Sequence, residues 1–184
     1  SSRHLLQAAL DVAASPLPIR LPLSRRMSRT PIVGGNWKCN PASVKDAEKL
    51  LDGWKGQAFD KEKVEVVICP TSLHLPVVKP GLEGMGMQVS AQNVSATGFG
   101  AFTGEHAAEH LVDFGVPWTL IGHSERRTKY GETDEITAQK VEQCQEKGLK
   151  VIFCIGEQLD EREAGKTDEV NKRQIAAILS KVKD

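Results

Sequence analysis

The chain has 184 residues, of which 40% are hydrophobic and 26% charged, and its 24 basic and 24 acidic side chains give a formal net charge of zero. A chain of this length can bury a substantial core, and this composition is not typical of disordered, fibrous or nucleic-acid-binding proteins. Its longest apolar runs are far shorter than the roughly 20 residues that cross a bilayer. The four cysteines are far apart and form no CxxC pair, which indicates reduced thiols in a reducing compartment. We therefore expect a soluble globular domain that binds neither nucleic acid nor membrane.

The first thirty residues differ in composition from the rest. Residues 1–30 hold five arginines, no lysine and one acidic residue, Asp11. Arginine-rich, acid-poor composition is typical of organelle transit peptides. The segment is interpreted either as a transit peptide for a plastid or mitochondrion, or as an extension upstream of a translation start at Met27 in a cytoplasmic protein. Its prolines predict a disordered or loosely attached segment: Pro16, Pro18 and Pro22.

From residue 31 onward, short apolar runs alternate with segments of helical period. The five predicted strands cover residues 31–38, 64–69, 87–93, 118–123 and 150–155. Their nearly continuous hydrophobicity indicates a parallel sheet covered on both faces. Their starts recur at about 30 residues, the length of one βα unit. Five such units form either an open doubly wound sheet or part of a closed (β/α)8 barrel, and the periodicity alone does not choose.

Three of the intervening helices have readable signals. Ser43 and Asp46 form a capping-box pattern before an apolar stripe. Thr133 opens another helix, which Gly148 closes. The last predicted helix carries apolar residues at helical spacing: Ile175, Ile178, Leu179 and Val182.

The sequence GGNWKCN places Asn36 and Lys38 near the carboxyl end of the first predicted strand. If the segment is extended, both side chains emerge on one face, at the edge where α/β proteins place ligands. Gly34 and Gly35 leave room for a ligand beside the backbone, and an ammonium beside an amide suits an anionic or carbonyl-bearing ligand. The alternative is a lysine that merely leaves the core at a strand end.

His123 ends the fourth predicted strand, and SERR then begins a helix. The positive end of the helix dipole disfavours an imidazolium, so the ring is expected to be neutral near pH 7. A neutral ring can donate a hydrogen bond to a substrate carbonyl oxygen. The alternative is a purely structural histidine.

A competing motif is HAAEH, which matches the inverted zinc-peptidase signature H-x-x-E-H. On a helix, His106 and His110 would face one metal ion with Glu109 beside them as base. The pattern is short, and no spacing singles out a third protein ligand. We therefore expect two solvated histidines and no metal site.

Five motifs in the same order resemble the triosephosphate isomerase family: GGNWKCN, AQNVSA with GAFTGE, IGHSERR, GETDE and CIGEQLDEREAGKT. The resemblance covers residues 31–184. It implies a (β/α)8 barrel, of which this chain covers about strands one to five. It also implies a cofactor-independent isomerase that interconverts dihydroxyacetone phosphate and D-glyceraldehyde 3-phosphate through an enediol or enediolate, in glycolysis and gluconeogenesis.

The resemblance assigns roles to individual residues. Asn36 and Lys38 match the substrate-binding pair, and His123 matches the electrophilic histidine. Glu125 matches a buried carboxylate that partners the lysine, and Ser124 accompanies the histidine. The loop GFGAFTGE, residues 98–105, resembles the loop that reaches toward the partner subunit of a homodimer, and its contact residues would be Thr103, Gly104 and Glu105.

Some family features have no match in residues 31–184. The general-base glutamate, the lid that follows it and the phosphate-binding loops are all expected in later βα units. We therefore expect the 184-residue polypeptide to be a truncated form that is inactive by itself. The alternative is a non-catalytic fragment or interaction module.

Overall fold

A computed structural model describes residues 29–182, which divide after residue 89 into two compact units. Each unit is built from parallel strands and helices. The predicted extension, residues 1–30, lies outside the described residues except for Arg29 and Thr30, which have no regular secondary structure. Over residues 29–182, no helix is both long and apolar enough to cross a membrane.

The first unit pairs strand β1 (Ile32–Asn36) with strand β2 (Glu65–Cys69) in parallel, with Asn36 opposite Cys69. Strand β2 also pairs in parallel with the start of strand β3 (Gln88–Ala91), through residues 88 and 89. Helix α1 (Val44–Trp54) follows β1, and helix α2 (Leu75–Gly84) follows β2. The unit therefore consists of successive βα repeats.

The N-cap predicted at Ser43 of helix α1 is confirmed, whereas the Asp46 carboxylate accepts from the Ser43 hydroxyl. The Ser43 hydroxyl accepts a hydrogen bond from the Asp46 N–H at 3.1 Å, which satisfies one donor of the first helical turn. The buried face of the helix consists of Ala47, Leu51 and Trp54. A Cβ on Gly81 of helix α2 would lie 2.6 Å from Leu51 Cδ2, so the absence of a side chain there allows the leucine to pack closely.

The second unit pairs the end of β3 with strand β4 (Trp118–Ile121), and β4 with strand β5 (Lys150–Phe153), again in parallel. All four residues of β4 are buried, as expected for a strand covered on both faces. The helices of this unit are α3 (Ala108–Asp113), α4 (Ser124–Tyr130), α5 (Asp134–Glu146), α6 (Leu159–Glu163) and α7 (Thr167–Leu179). The Thr133 hydroxyl caps α5 by accepting from the Ile136 N–H, and Gly148 follows with a left-handed φ of +74°, so both predicted ends are confirmed.

The strands pair in the order β1-β2-β3-β4-β5, and every pair is parallel. This confirms the predicted order of consecutive barrel units. A doubly wound sheet would instead reverse its strand order at a switch point. The observed strands are one to three residues shorter than predicted, and His123 lies outside β4.

The apolar residues at helical spacing in the last helix are largely exposed, and only Ile178 among them is half-buried. Leu179 is 65% exposed, and Ile175 and Val182 are also exposed. The buried residues of α7 are Val170 and Gln174, and the Gln174 side chain exchanges hydrogen bonds with the backbone N–H and C=O of Gly156. Because two hydrogen bonds satisfy the Gln174 amide, this polar residue can lie on the packed face of helix α7.

Candidate active site

Asn36 and Lys38 lie where strand β1 ends. The ladder continues one residue beyond the strand, because the Trp37 N–H donates to the Cys69 carbonyl at 3.0 Å. Lys38 then adopts a left-handed conformation with φ of +55°, and its N–H donates to Asn36 Oδ1 at 2.9 Å. The extended geometry assumed for residues 36–38 is therefore wrong: the two side chains share this end of the strand through a turn.

A groove of about 680 Å³ lies beside this turn. Asn36, Lys38 and Asn40 contribute polar groups, while Val33, Leu50 and Trp54 are among its apolar lining residues. A Cβ on Gly34 would meet nothing within 4 Å, whereas one on Gly35 would lie 2.9 Å from Ile68 Cδ1. Gly34 thus leaves open space in the groove, and Gly35 is required for packing.

In the second unit, His123 is the N-cap of helix α4. Its Nδ1 accepts a hydrogen bond from the Glu125 N–H at 3.2 Å. An accepting Nδ1 carries no proton, so the proton of the neutral ring is on Nε2. Glu125 Oε2 also lies 3.5 Å from Nδ1, but neither atom can then donate to the other, so we assign the hydrogen bond to the backbone N–H. The imidazole therefore presents an Nε2–H donor.

Glu125 and Ser124 occupy the first turn of helix α4. The side chain of Glu125 is 39% exposed, which differs from the buried carboxylate that the resemblance implied. Its position after the N-cap orients its backbone N–H toward His123, so the residue supports the histidine through its main chain. Ser124 is exposed, and its carbonyl accepts from the Thr128 hydroxyl at 2.9 Å.

Two neighbours of the histidine turn were not recognised from the sequence. Gly122 has a left-handed φ of +76°, and a Cβ there would lie 2.9 Å from Arg127 Nη2 and 3.0 Å from the Cys154 carbonyl oxygen. Arg127 Nε donates to the Gly122 carbonyl at 2.8 Å, and its Nη1 donates to Asp134 at 2.7 Å. A glycine directly before a helix-capping histidine was the available signal, since it marks a backbone position that excludes a side chain.

Residues 98–105 form an exposed loop with two outward aromatic rings. Phe99 is 68% exposed and Phe102 is 46% exposed, and Thr103, Gly104 and Glu105 are exposed as well. The ring of Phe99 contacts that of His110, with centroids 4.9 Å apart. A groove of about 210 Å³ lies between the two phenylalanines, Glu105 and His110.

The residues of the HAAEH motif make other contacts. His106 precedes helix α3 rather than lying on it, so the assumed i, i+4 geometry is wrong. His110 Nδ1 accepts from the Ala107 N–H at 3.2 Å, and Glu109 forms an ion pair with Lys147 at 3.0 Å. A backbone hydrogen bond, and next the contact with Lys147, hold the pKa of the Glu109 carboxyl below its ordinary value. Residues 29–182 contain no group of three or more potential metal ligands. The absence of zinc stays a prediction.

The helix of that motif buries one small face, formed by Ala107, Ala108 and Leu111. Phe114, which follows it, is exposed. Helix α3 ends at Asp113, so Phe114 lies at its C-cap.

A family model described as triosephosphate isomerase matches residues 31–184. The cytosolic triosephosphate isomerase of Oryza sativa subsp. japonica is 46% identical over 160 residues, which cover 86% of this chain and 62% of that protein. The glycosomal triosephosphate isomerase of Trypanosoma cruzi is 45% identical over 152 residues, covering 83% and 59%. The triosephosphate isomerase of Coprinopsis cinerea is 41% identical over 158 residues, covering 86% and 62%. The chain spans about six-tenths of the length of these relatives and belongs to the triosephosphate isomerase family.

Proposed function

We propose that the chain is part of an aldose–ketose isomerase that interconverts dihydroxyacetone phosphate and D-glyceraldehyde 3-phosphate without a cofactor. Family membership supports the reaction class, because the matching relatives carry the name of that enzyme. The observation that carries the proposal is the hydrogen bond from the Glu125 N–H to His123 Nδ1, which makes Nε2–H of a neutral imidazole the donor. This is the group that polarising a ketone or aldehyde oxygen requires.

The chemistry follows from the charge that develops during the reaction. Removing a proton from the carbon beside the carbonyl places negative charge on the carbonyl oxygen. His123 Nε2–H donates to that oxygen, and Lys38, which matches the substrate-binding lysine of the family, supplies a cation that suits an anionic substrate. Fixed donors aimed at a developing oxyanion lower the barrier without reorganising during the step. The Asn36 amide binds the substrate through its N–H2 group, because its carbonyl oxygen already accepts from the Lys38 N–H.

We identify no carboxylate among residues 31–184 as the general base. The family resemblance identifies no glutamate of this range as the general base, so we propose that residues 1–184 supply the electrophile and part of the substrate contacts. Without a positioned base, the loss in rate is about 10²–10⁴-fold or more. Loss of remote phosphate contacts lowers the rate further, since that binding energy orients the substrate.

A coupled isomerase assay tests this proposal. The 184-residue polypeptide, purified free of host isomerase as verified by mass spectrometry, should show little turnover alone. Turnover should appear when a polypeptide carrying strands six to eight of a relative is added, and His123→Ala should abolish it. Gln57→Ala is the control, because that exposed side chain lies outside both the proposed site and the proposed dimer loop. Near-normal turnover from the polypeptide alone, or complemented turnover that survives His123→Ala, would contradict the proposal.

We also propose that the loop of residues 98–105 contacts a second copy of the chain in a homodimer. Its exposed Phe99 and Phe102 provide apolar area that water disfavours, and Thr103 lies between Phe102 and a left-handed Gly104 at the loop tip. Sedimentation velocity should show a dimer that Thr103→Arg weakens, whereas Ser180→Arg, at another exposed position, should leave it intact. A dimer without turnover in the complemented assay would favour the alternative of an interaction module.

The compartment is a separate proposal. The relatives include one named cytosolic and one named glycosomal. Cytoplasm is our proposal if translation starts at Met27, and a plastid or mitochondrion if residues 1–30 are a transit peptide. A reporter fused to residues 1–30 distinguishes these: import into an organelle supports the transit peptide, and a purely cytosolic signal excludes it.

A further inference from the structure

The turn at the end of strand β1 suggests a second role for Asn36. We propose that Asn36 is a positioning residue: its side-chain carbonyl holds Lys38 in the left-handed conformation that sets the direction of the lysine side chain. That Asn36 holds the conformation of Lys38 follows from the geometry of the turn. Only the consequence for substrate binding rests on the proposed function.

The chain is anchored immediately before the turn. Strand β1 pairs residue by residue with β2, and the Trp37 N–H extends that ladder to the Cys69 carbonyl at 3.0 Å. The Trp37 ring contacts the edge of Trp54 of helix α1, with centroids 5.9 Å apart and planes at 66°. These contacts hold the backbone as far as residue 37, so the direction that the chain takes next is set by the dihedral angles of Lys38.

Lys38 adopts those angles against its intrinsic preference. Among residues 29–182 it is the one residue other than glycine with a positive φ. A left-handed conformation brings the Cβ of an L-residue too close to neighbouring backbone atoms. A local interaction must therefore favour it. The hydrogen bond of 2.9 Å from the Lys38 N–H to Asn36 Oδ1 supplies one, since an Asn side chain that accepts from the backbone two residues later closes an Asx-turn.

The same bond fixes the orientation of the Asn36 amide. The carbonyl oxygen faces the turn, so the N–H2 group is the part left for a ligand in the groove that Asn36 and Lys38 both line. Relaxation of Lys38 to a negative φ would rotate its Cα–Cβ bond and redirect the ammonium. Asn36 thereby links the directions of two hydrogen-bond donors, which suits an oxygen-rich anionic substrate.

Hydrogen exchange at the Lys38 amide tests the positioning role directly. Asn36→Asp keeps an acceptor oxygen two residues before Lys38, whereas Asn36→Ala removes it. In NMR-detected exchange on the full chain, Asn36→Asp should retain the protection of the Lys38 N–H, and Asn36→Ala should accelerate its exchange by about tenfold, the magnitude expected for one hydrogen bond. Gln57→Ala, which removes an exposed amide of the same unit, should change nothing at Lys38.

A double-mutant cycle tests the consequence for the substrate. If Asn36 acts partly through Lys38, the losses in dihydroxyacetone phosphate affinity that Asn36→Ala and Lys38→Met cause in the complemented protein should be less than additive. Fully additive losses, or a Lys38 amide whose protection survives Asn36→Ala, would overturn the positioning role. Failure of the complemented wild-type protein to bind dihydroxyacetone phosphate would count against the proposed function instead, and the exchange measurement would still decide the role of Asn36.

Discussion

Lys140 Nζ lies 2.6 Å from Glu132 Oε1, and both side chains are only 5% exposed. The ammonium also donates to Asn93 Oδ1 at 2.8 Å, and Arg126 donates to the same glutamate oxygen. Helix α4 and helix α5 are thus joined by a buried ionic cluster close to the candidate histidine in sequence. Buried charges of this kind are tolerated only while they remain paired.

Replacing Glu132 should therefore be strongly destabilising. Glu132→Gln leaves the buried Lys140 ammonium without its anionic partner, and the expected loss is about 3–5 kcal/mol in the free energy of unfolding. Asp52→Asn breaks the exposed pair between Asp52 and Lys55 and should have little effect. Urea denaturation of the wild type and the two variants measures the difference in the free energy of unfolding. Equal stability of the two variants would contradict the importance of the buried cluster.

The same cluster predicts a pH dependence. Burial lowers the pKa of Lys140 below its ordinary value of 10.5, and the hydrogen bond to Glu132 opposes this only in part. Between the lowered value and 10.5, the folded chain has lost the proton while the unfolded chain still binds it. The contribution of Lys140 to the free energy of unfolding should therefore rise with pH across that window. Subtracting the pH profile of Lys140→Met from that of the wild type isolates this slope, and a flat or falling difference would contradict it.

Gly122 should not tolerate a side chain. Gly122→Ala imposes a left-handed conformation on alanine and drives its Cβ against Arg127 and the Cys154 carbonyl. Gly131 has a similar φ of +69° but would meet nothing within 4 Å, so Gly131→Ala carries the conformational cost alone, about 1–2 kcal/mol. Gly122→Ala should lower the thermal midpoint further and weaken the contact of Arg127 with the Gly122 carbonyl. Identical midpoints for the two variants would show that the steric contact is unimportant.

Asp134 connects helix α5 to two arginines. Arg127 donates to it at 2.7 Å, and Arg173 of helix α7 donates to its other oxygen. Asp134→Asn should cost about 2–3 kcal/mol, because it removes the charge from two charge-assisted hydrogen bonds. Glu142→Gln is the control: its pair with Lys181 at 2.8 Å spans a similar distance along the chain but is more exposed, so the loss should be about 0–1 kcal/mol. Chemical denaturation of both variants checks the ranking.

The four cysteines should differ in reactivity. Cys39 is exposed, whereas burial raises the pKa of the Cys144 thiol to about 12 and also raises that of Cys154. Because the thiolate is the reacting form, Ellman's reagent at pH 7.5 should modify Cys39 first in the folded chain and all four after denaturation. Cys39→Ser should remove the fast phase, and Cys144→Ser should leave it unchanged. A fast phase that persists without Cys39 would contradict this ranking.

Much of the architecture was predictable because its causes are local or periodic. Continuous apolar runs at intervals of one βα unit indicated five parallel strands, and the caps at Ser43 and Thr133 marked helix starts through bonds that span three residues. His123 was placed at a helix N-terminus for the same reason. The family resemblance rested on motifs that are themselves contiguous in the chain.

Only the tertiary structure determined two kinds of feature. One kind is a contact between residues that are distant in sequence, and the other is a backbone conformation that departs from regular strand or helix geometry. No local pattern showed that Lys38 leaves the strand with a left-handed φ, since that conformation needs both the anchored Trp37 and the Asn36 carbonyl. The pairing of Lys140 with Asn93, 47 residues away, likewise follows from packing and not from spacing. In the last helix, apolar residues recur at helical period, but Gln174 is one of the buried residues. It can be buried because its side-chain amide forms hydrogen bonds with the Gly156 backbone. Whether a side chain is buried depends on the neighbouring surface that it packs against. Its own hydrophobicity sets only its preference for a buried or an exposed position.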